Sequence, residues 1–188
     1  MTLLAEIRTK IRNGQFELSE HATEQSGIRH ISLQEVREAI KESEVIENYS
    51  DDKYGPSCLI LGFTQSKRPL HIQCSHPSRP LVKIITLYDL IRYDGLISKR
   101  GKDMSDNTVW NETLIEKNVT YTIEINGQFV LIENVPARVN IDTGEKYFSP
   151  ETVERLHQAV WGKCHPVRTI MTPVYEYTEL VPEKNATH

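Results

Sequence analysis

Cysteine is scarce in this chain, and the three that occur, Cys58, Cys74 and Cys164, stand far apart. That spacing suits neither a disulfide framework nor the paired thiolates of a zinc knuckle. No apolar run reaches the roughly 18 residues that a bilayer-spanning helix requires, and mean hydropathy is −0.45. The amino terminus, Met1-Thr-Leu-Leu-Ala-Glu-Ile-Arg8, lacks the basic-then-apolar order of a signal peptide. Aromatics make up only 7% of the residues, and few of them interleave with basic residues, which argues against a free-standing RNA-binding module. Internal repeats and low-complexity tracts are missing as well. These absences lead to the expectation of a soluble, cytoplasmic protein with no membrane contact. The sequons at Asn111, Asn118 and Asn185 are then chance occurrences.

Charge is present but unevenly placed. Residues 1–103 carry 15 Lys and Arg against 14 Asp and Glu, whereas residues 104–188 carry 7 against 12. The balance shifts from +1 to −5 within a chain of net charge −4. An acidic piece beside a neutral-to-basic one fits an inhibitor covering a nucleic-acid surface, and it equally fits ordinary variation between domains.

Periodicity predicts an α+β protein. Leu3, Leu4, Ile7 and Ile11 form a helical stripe that Asn13-Gly14 stops. Phe16-Glu-Leu18 reads as extended, and His21–Gln25 as helical up to Gly27. Ser32-Leu-Gln-Glu35 is a capping-box signature, and its helix should end near Ser43. Strands are expected at Val45–Tyr49, Cys58–Phe63, Leu70–Cys74 and Leu81–Tyr88, joined as an antiparallel meander. Cys58 and Cys74 read as small buried strand residues. A polar, basic connector follows Asp94-Gly95, and Met104 opens a new pattern, as a former start codon or any internal methionine would.

Beyond the connector, Val119–Ile125 alternates, Asn126-Gly127 is a favoured type I′ turn, and Phe129–Ile132 returns. Val135–Val139 reads as a further strand with Pro136 at its start or edge. Ser149-Pro150-Glu151 opens a helix whose apolar face is Val153, Leu156, Val160 and Trp161 and which Gly162 ends. Arg168–Tyr177 alternates enough for a closing strand.

The segment Val135–Leu156, with Asp142-Thr-Gly144-Glu145 before Ser149-Pro150-Glu151, resembles the core of YgiT/MqsA-type zinc-finger antitoxins. In that family a hairpin carries a Cys-x-x-Cys-Gly-Glu knuckle. Asn140 and Thr143 stand at the two cysteine positions here, and Asn107 and Trp110 at those of the other pair. Amide, indole and hydroxyl groups do not replace thiolate for zinc, so no metal and no other cofactor are expected.

Residues 1–103 resemble the small RelE/MqsR/BrnT-like ribonuclease toxins encoded beside such antitoxins. The matching pieces are Ser19-Glu-His21-Ala, Arg29-His-Ile-Ser-Leu-Gln-Glu-Val36, Gly55-Pro-Ser-Cys-Leu59, Arg68-Pro-Leu-His71 and Ile84-Ile-Thr-Leu-Tyr88. Two departures stand out: Gln25 replaces an arginine common in relatives, and Asp89-Leu90 replaces a frequent Glu-Pro.

The resemblance implies a toxin–antitoxin fusion. It would comprise a RelE/MqsR-like domain over 1–92, a linker over 93–106, a zinc-less antitoxin-like domain over 107–181 and a disordered tail over 182–188. Metal-independent RNA cleavage needs a base, an acid and a cation for the phosphorane. His71 is the candidate general base or acid and His21 its complement, Arg29 the phosphate clamp, and Tyr88 a proton donor or ribose-positioning group. Lys83 and Arg68 are candidates for backbone contacts. Each has a structural alternative: His21 bonding a carbonyl, His71 a satisfied strand histidine, Tyr88 a core-edge aromatic, Arg29 an ordinary ion pair. The partners implied are RNA and the chain's own second half, or that of a second copy in a homodimer. A non-catalytic scaffold or decoy antitoxin is the rival reading.

Overall fold

The computed structural model describes residues 2–50, 55–90 and 112–176. The elements run α1 (Leu3–Arg12), β1 (Phe16–Ser19), α2 (Glu20–Ile28), α3 (Leu33–Lys41), β2 (Ser43–Tyr49), β3 (Ser57–Phe63), β4 (Pro69–Ser75) and β5 (Val82–Asp89). After residues 91–111 come β6 (Leu114–Ile125), β7 (Gln128–Asn140), β8 (Lys146–Phe148) and α4 (Pro150–Val160). This is an α+β protein built on one mixed sheet. The expected linker over 93–106, the positions Asn107 and Trp110, and the tail over 182–188 lie outside the described residues.

Local chemistry explains the helix starts. The side chains of Thr2, Ser19, Ser32 and Ser149 each accept a hydrogen bond from a first-turn amide, satisfying a donor that the helix itself leaves open. The capping box at Ser32 is complete, with Glu35 accepting from the Ser32 amide. Pro150 occupies the first helical turn of α4, where its missing N–H costs nothing.

The eight strands are ordered β2-β3-β4-β5-β1-β8-β7-β6. The meander β2 to β5 is antiparallel, as the sequence predicts. Strand β1 then joins β5 in parallel, pairing Phe16 with Val82 and Leu18 with Ile84. On its other side β1 takes β8 antiparallel, Leu18 opposite Phe148. The two halves of the chain therefore share one sheet, and β1 is the seam.

Alternation assigns one face of this sheet to the core. Cys58, Ile60, Leu70, Ile72, Val82, Ile84, Phe16, Leu18, Phe148, Tyr121 and Ile123 form one cluster with residues of all four helices. Gly62 lies on this face because a Cβ there would sit 2.0 Å from the Ala39 carbonyl oxygen. The opposite face carries His71, Gln73, Tyr88, Lys83, Glu17, Arg138 and Tyr147 by the same registers.

Two strand expectations need correcting. Val135–Val139 is not a separate strand but the continuation of β7. A register shift between Val119 and Tyr121 absorbs an extra residue, and Asn134 takes φ +58° there. The bulge keeps Val135 and Ala137 on the core face after the shift. Residues 168–176 form no strand: they are exposed coil, with Val167 and Met171 fully exposed. Pro166 and Pro173 remove two amide donors from this stretch, and apolar alternation alone supplies no partner strand. Among the described residues no helix is long and apolar enough to cross a membrane.

Candidate functional site

The register of β4 and β5 places His71 directly opposite Tyr88 on the face away from the helices. His71 Nδ1 and the Tyr88 hydroxyl are 3.1 Å apart, and the rings meet edge to face at 5.2 Å. His71 is buried, and its Nε2 has no hydrogen-bond partner among the described residues. Burial lowers the imidazole pKa, with the Glu47 carboxylate acting weakly in the other direction. A neutral imidazole is therefore held against a phenol, with the far ring nitrogen uncommitted. Such a pair can accept or relay a proton.

The two predicted phosphate-binding arginines lie elsewhere. Asp89 ends β5 next to Tyr88, and alternation sends its side chain to the helix face. There its carboxylate takes Arg29 at 3.2 Å and Arg68 at 2.9 Å. Arg68 also holds Glu35 at 3.1 Å and donates to the carbonyls of Arg29 and His30. Burial alone would raise the Asp89 and Glu35 pKa values, but hydrogen bonds outweigh it and hold both below their ordinary range. Gln25 accepts from Arg29 Nε at 3.0 Å. These cations are saturated by carboxylates and act as a brace tying α2, α3, β4 and β5.

His21 stands exposed in the first turn of α2 and makes no hydrogen bond among the described residues. The structure thus brings His71 and Tyr88 together, and brings Arg29 and Arg68 together on the other face. It joins His21 to neither.

Lys83 shares the face of His71 and Tyr88 but lies nearer the seam. It is buried, bonded with Arg79 to the Glu112 carboxylate, and its ammonium sits 3.7 Å from the Tyr147 ring centroid. Burial depresses the Lys83 pKa, and Glu112 opposes that effect. Glu17 pairs with Arg138 at 2.9 Å, yet burial raises its pKa overall, and its Oε1 has no partner among the described residues.

A concavity of about 810 Å³ is lined by Glu17 of β1 together with Lys117, Pro136, Arg138, Tyr147 and Arg155 of α4. It does not include His71 or Tyr88. Asn140, one of the positions that the resemblance aligns with a zinc ligand, is buried, and its side-chain oxygen accepts from the amides of Asp142 at 2.9 Å and Thr143 at 3.2 Å. An amide-capped turn stands where the family resemblance implies a metal-capped one.

Sequence reasoning missed Glu17, Glu112, Tyr147 and Asp89, all of which decide how the cations are used. No local pattern signals them, since their partners lie 21 to 121 residues away. No curated protein and no solved structure matches the chain. The family described as a domain of unknown function (DUF4258) matches residues 18–89, a span that runs from β1 through β5 and contains all six predicted site residues.

Proposed function

We propose that this chain is a toxin–antitoxin-type protein, in which a RelE/MqsR-like endoribonuclease unit is restrained by a fused, zinc-less antitoxin-like unit. The observation that carries the reading is the His71–Tyr88 pair, a desolvated neutral imidazole in contact with a phenol on the helix-free face. His71 would take the 2′-hydroxyl proton through Nε2, and Tyr88 would orient the ring or return a proton to the leaving oxygen. No cofactor enters this scheme. Support for restraint in cis comes from β8, which occupies the edge of β1.

The rival reading, a non-catalytic interaction protein or decoy antitoxin, draws on a specific observation too. Arg29 and Arg68 are neutralised on the opposite face from His71 and Tyr88, which leaves that pair without the clamp the scheme needs. Cleavage of single-stranded RNA separates the two. The full chain is assayed beside His157→Asp, which loosens the α2–α4 contact, and beside the His71→Ala version of each. The nuclease reading expects cleavage released by the first substitution and cut on the order of 10²–10⁴-fold by the second. If no form cleaves RNA, the scaffold reading stands.

A further inference from the structure

The cluster at the seam gathers buried charges from three separate stretches of chain. Arg79 precedes β5 and Lys83 lies within it; Glu17 comes from β1; Glu112 and Arg138 come from the later half. Together with Leu114 they line a cavity of about 140 Å³. A single carboxylate, that of Glu112, bonds both Arg79 and Lys83. Hydrogen bonds from these two cations outweigh the effect of burial and keep Glu112 below the ordinary glutamate range, so it is an anion at neutral pH.

A guanidinium and an ammonium that donate to the two oxygens of one carboxylate offer donors that a phosphodiester oxygen pair also satisfies. Two groups from the later half cover Lys83: Glu112 bonds it, and the Tyr147 ring packs against its ammonium. Lys83 lies five residues from Tyr88 along β5, roughly 15 Å on the same face at strand spacing. A short single-stranded RNA spans that distance. Glu17, ion-paired with Arg138, lines the same cavity, and its Oε1 has no hydrogen-bond partner among the described residues.

We infer that Arg79 and Lys83 form an RNA phosphate site which Glu112 occupies as an intramolecular stand-in for the phosphodiester. This deepens the nuclease reading and rests on it for the identity of the ligand as RNA. Glu112 and the RNA backbone compete for the same two cations. Movement of the Glu112 carboxylate off the two cations opens the site, and occupation by RNA prevents its return. Removing the Glu112 charge takes from the buried Lys83 ammonium the carboxylate that bonds it, which favours opening.

The test is binding of a fluorescein-labelled eight-nucleotide single-stranded RNA to the full chain at low salt, read by anisotropy. Glu112→Gln is expected to bind at least about tenfold tighter than the wild type, with a steeper loss of affinity as salt rises. The gain should vanish in the double variant Glu112→Gln/Lys83→Gln, and millimolar inorganic phosphate should compete with the RNA for the single variant. Glu112→Asp, which keeps the charge and withdraws it by one methylene, should fall between; it is read in the same way if the glutamine variant does not fold. Equal affinity of the folded variant and the wild type overturns the proposal, as does a gain that survives loss of Lys83. Tight binding without cleavage keeps the phosphate site and removes the nuclease. Cleavage that is indifferent to Glu112 keeps the nuclease and removes the stand-in.

Discussion

Ser26 and His157 touch across the seam of the molecule, the serine hydroxyl lying 2.8 Å from the imidazole Nε2. Both side chains are buried. The Trp161 ring stacks on His157 at 4.3 Å, and its indole N–H donates to the Gly27 carbonyl at 3.0 Å. This contact joins α2 to α4 and so the front of the chain to the back. Burial, reinforced by the nearby His30, lowers the His157 pKa to about 4.

Stability should therefore fall in acid. An unfolded histidine binds its proton near pH 6.5, whereas the folded one resists it until about pH 4. Between those values the unfolded chain holds more protons, so stability rises with pH across the window. The full contribution is present above pH 6.5 and is lost as pH falls toward 4, a change on the order of 3 kcal/mol. Urea unfolding at pH 7.0, 5.5 and 4.5 measures it, and His157→Gln should flatten the dependence.

His71 governs a different pH dependence. Its imidazole pKa lies below the ordinary histidine value because the ring is buried. A general base must be neutral, so any RNA cleavage should persist below pH 6.5 and decline only in stronger acid. A pH–rate profile measures the acid limb. A limb at or above pH 6.5 removes His71 as the base.

Arg68 should matter for folding. It bonds Glu35, Asp89 and the carbonyls of Arg29 and His30, joining the turn after α2 to β4 and β5. Arg68→Ala leaves two part-buried carboxylates short of a partner, and a loss of about 2 kcal/mol is expected after allowing for solvent screening. Chemical denaturation checks the value. RNA affinity of the folded variant should change little, because this face is not the one that carries His71.

Gly62→Ala should be among the most damaging single changes. The added Cβ would lie 2.0 Å from the Ala39 carbonyl oxygen, and backbone on both sides leaves no flexible group to yield. Strand β3 and helix α3 would have to separate, at a cost of about 3 kcal/mol or more. A drop in melting temperature measures it. Glycine is needed at 62 for the close approach.

Asn140 offers a smaller test. Its side-chain oxygen takes two turn amides, so Asn140→Ala should cost about 1–2 kcal/mol, whereas Asn140→Asp keeps the acceptor and most of the stability. Thermal unfolding of the two variants separates the cap from mere bulk.

Local rules carried the elements. Ser32 with Glu35, Ser149 with Pro150, and Asn126-Gly127 with both φ values positive are decided by groups within a few residues of one another, and such short-range chemistry is written in the chain. Apolar alternation likewise placed the meander and its core face. Alternation gives the parity of a strand but not its neighbour, so the parallel pairing of β1 with β5 and the capture of β1 by β8 came only from tertiary packing. The same limit governs the site. His71 and Tyr88 could be named from sequence, yet their meeting depends on a register between two strands. The fate of Arg29, Arg68 and Lys83 was settled by Asp89 and Glu112, because a charge finds its partner through the folded distance between them and the loss of water around both.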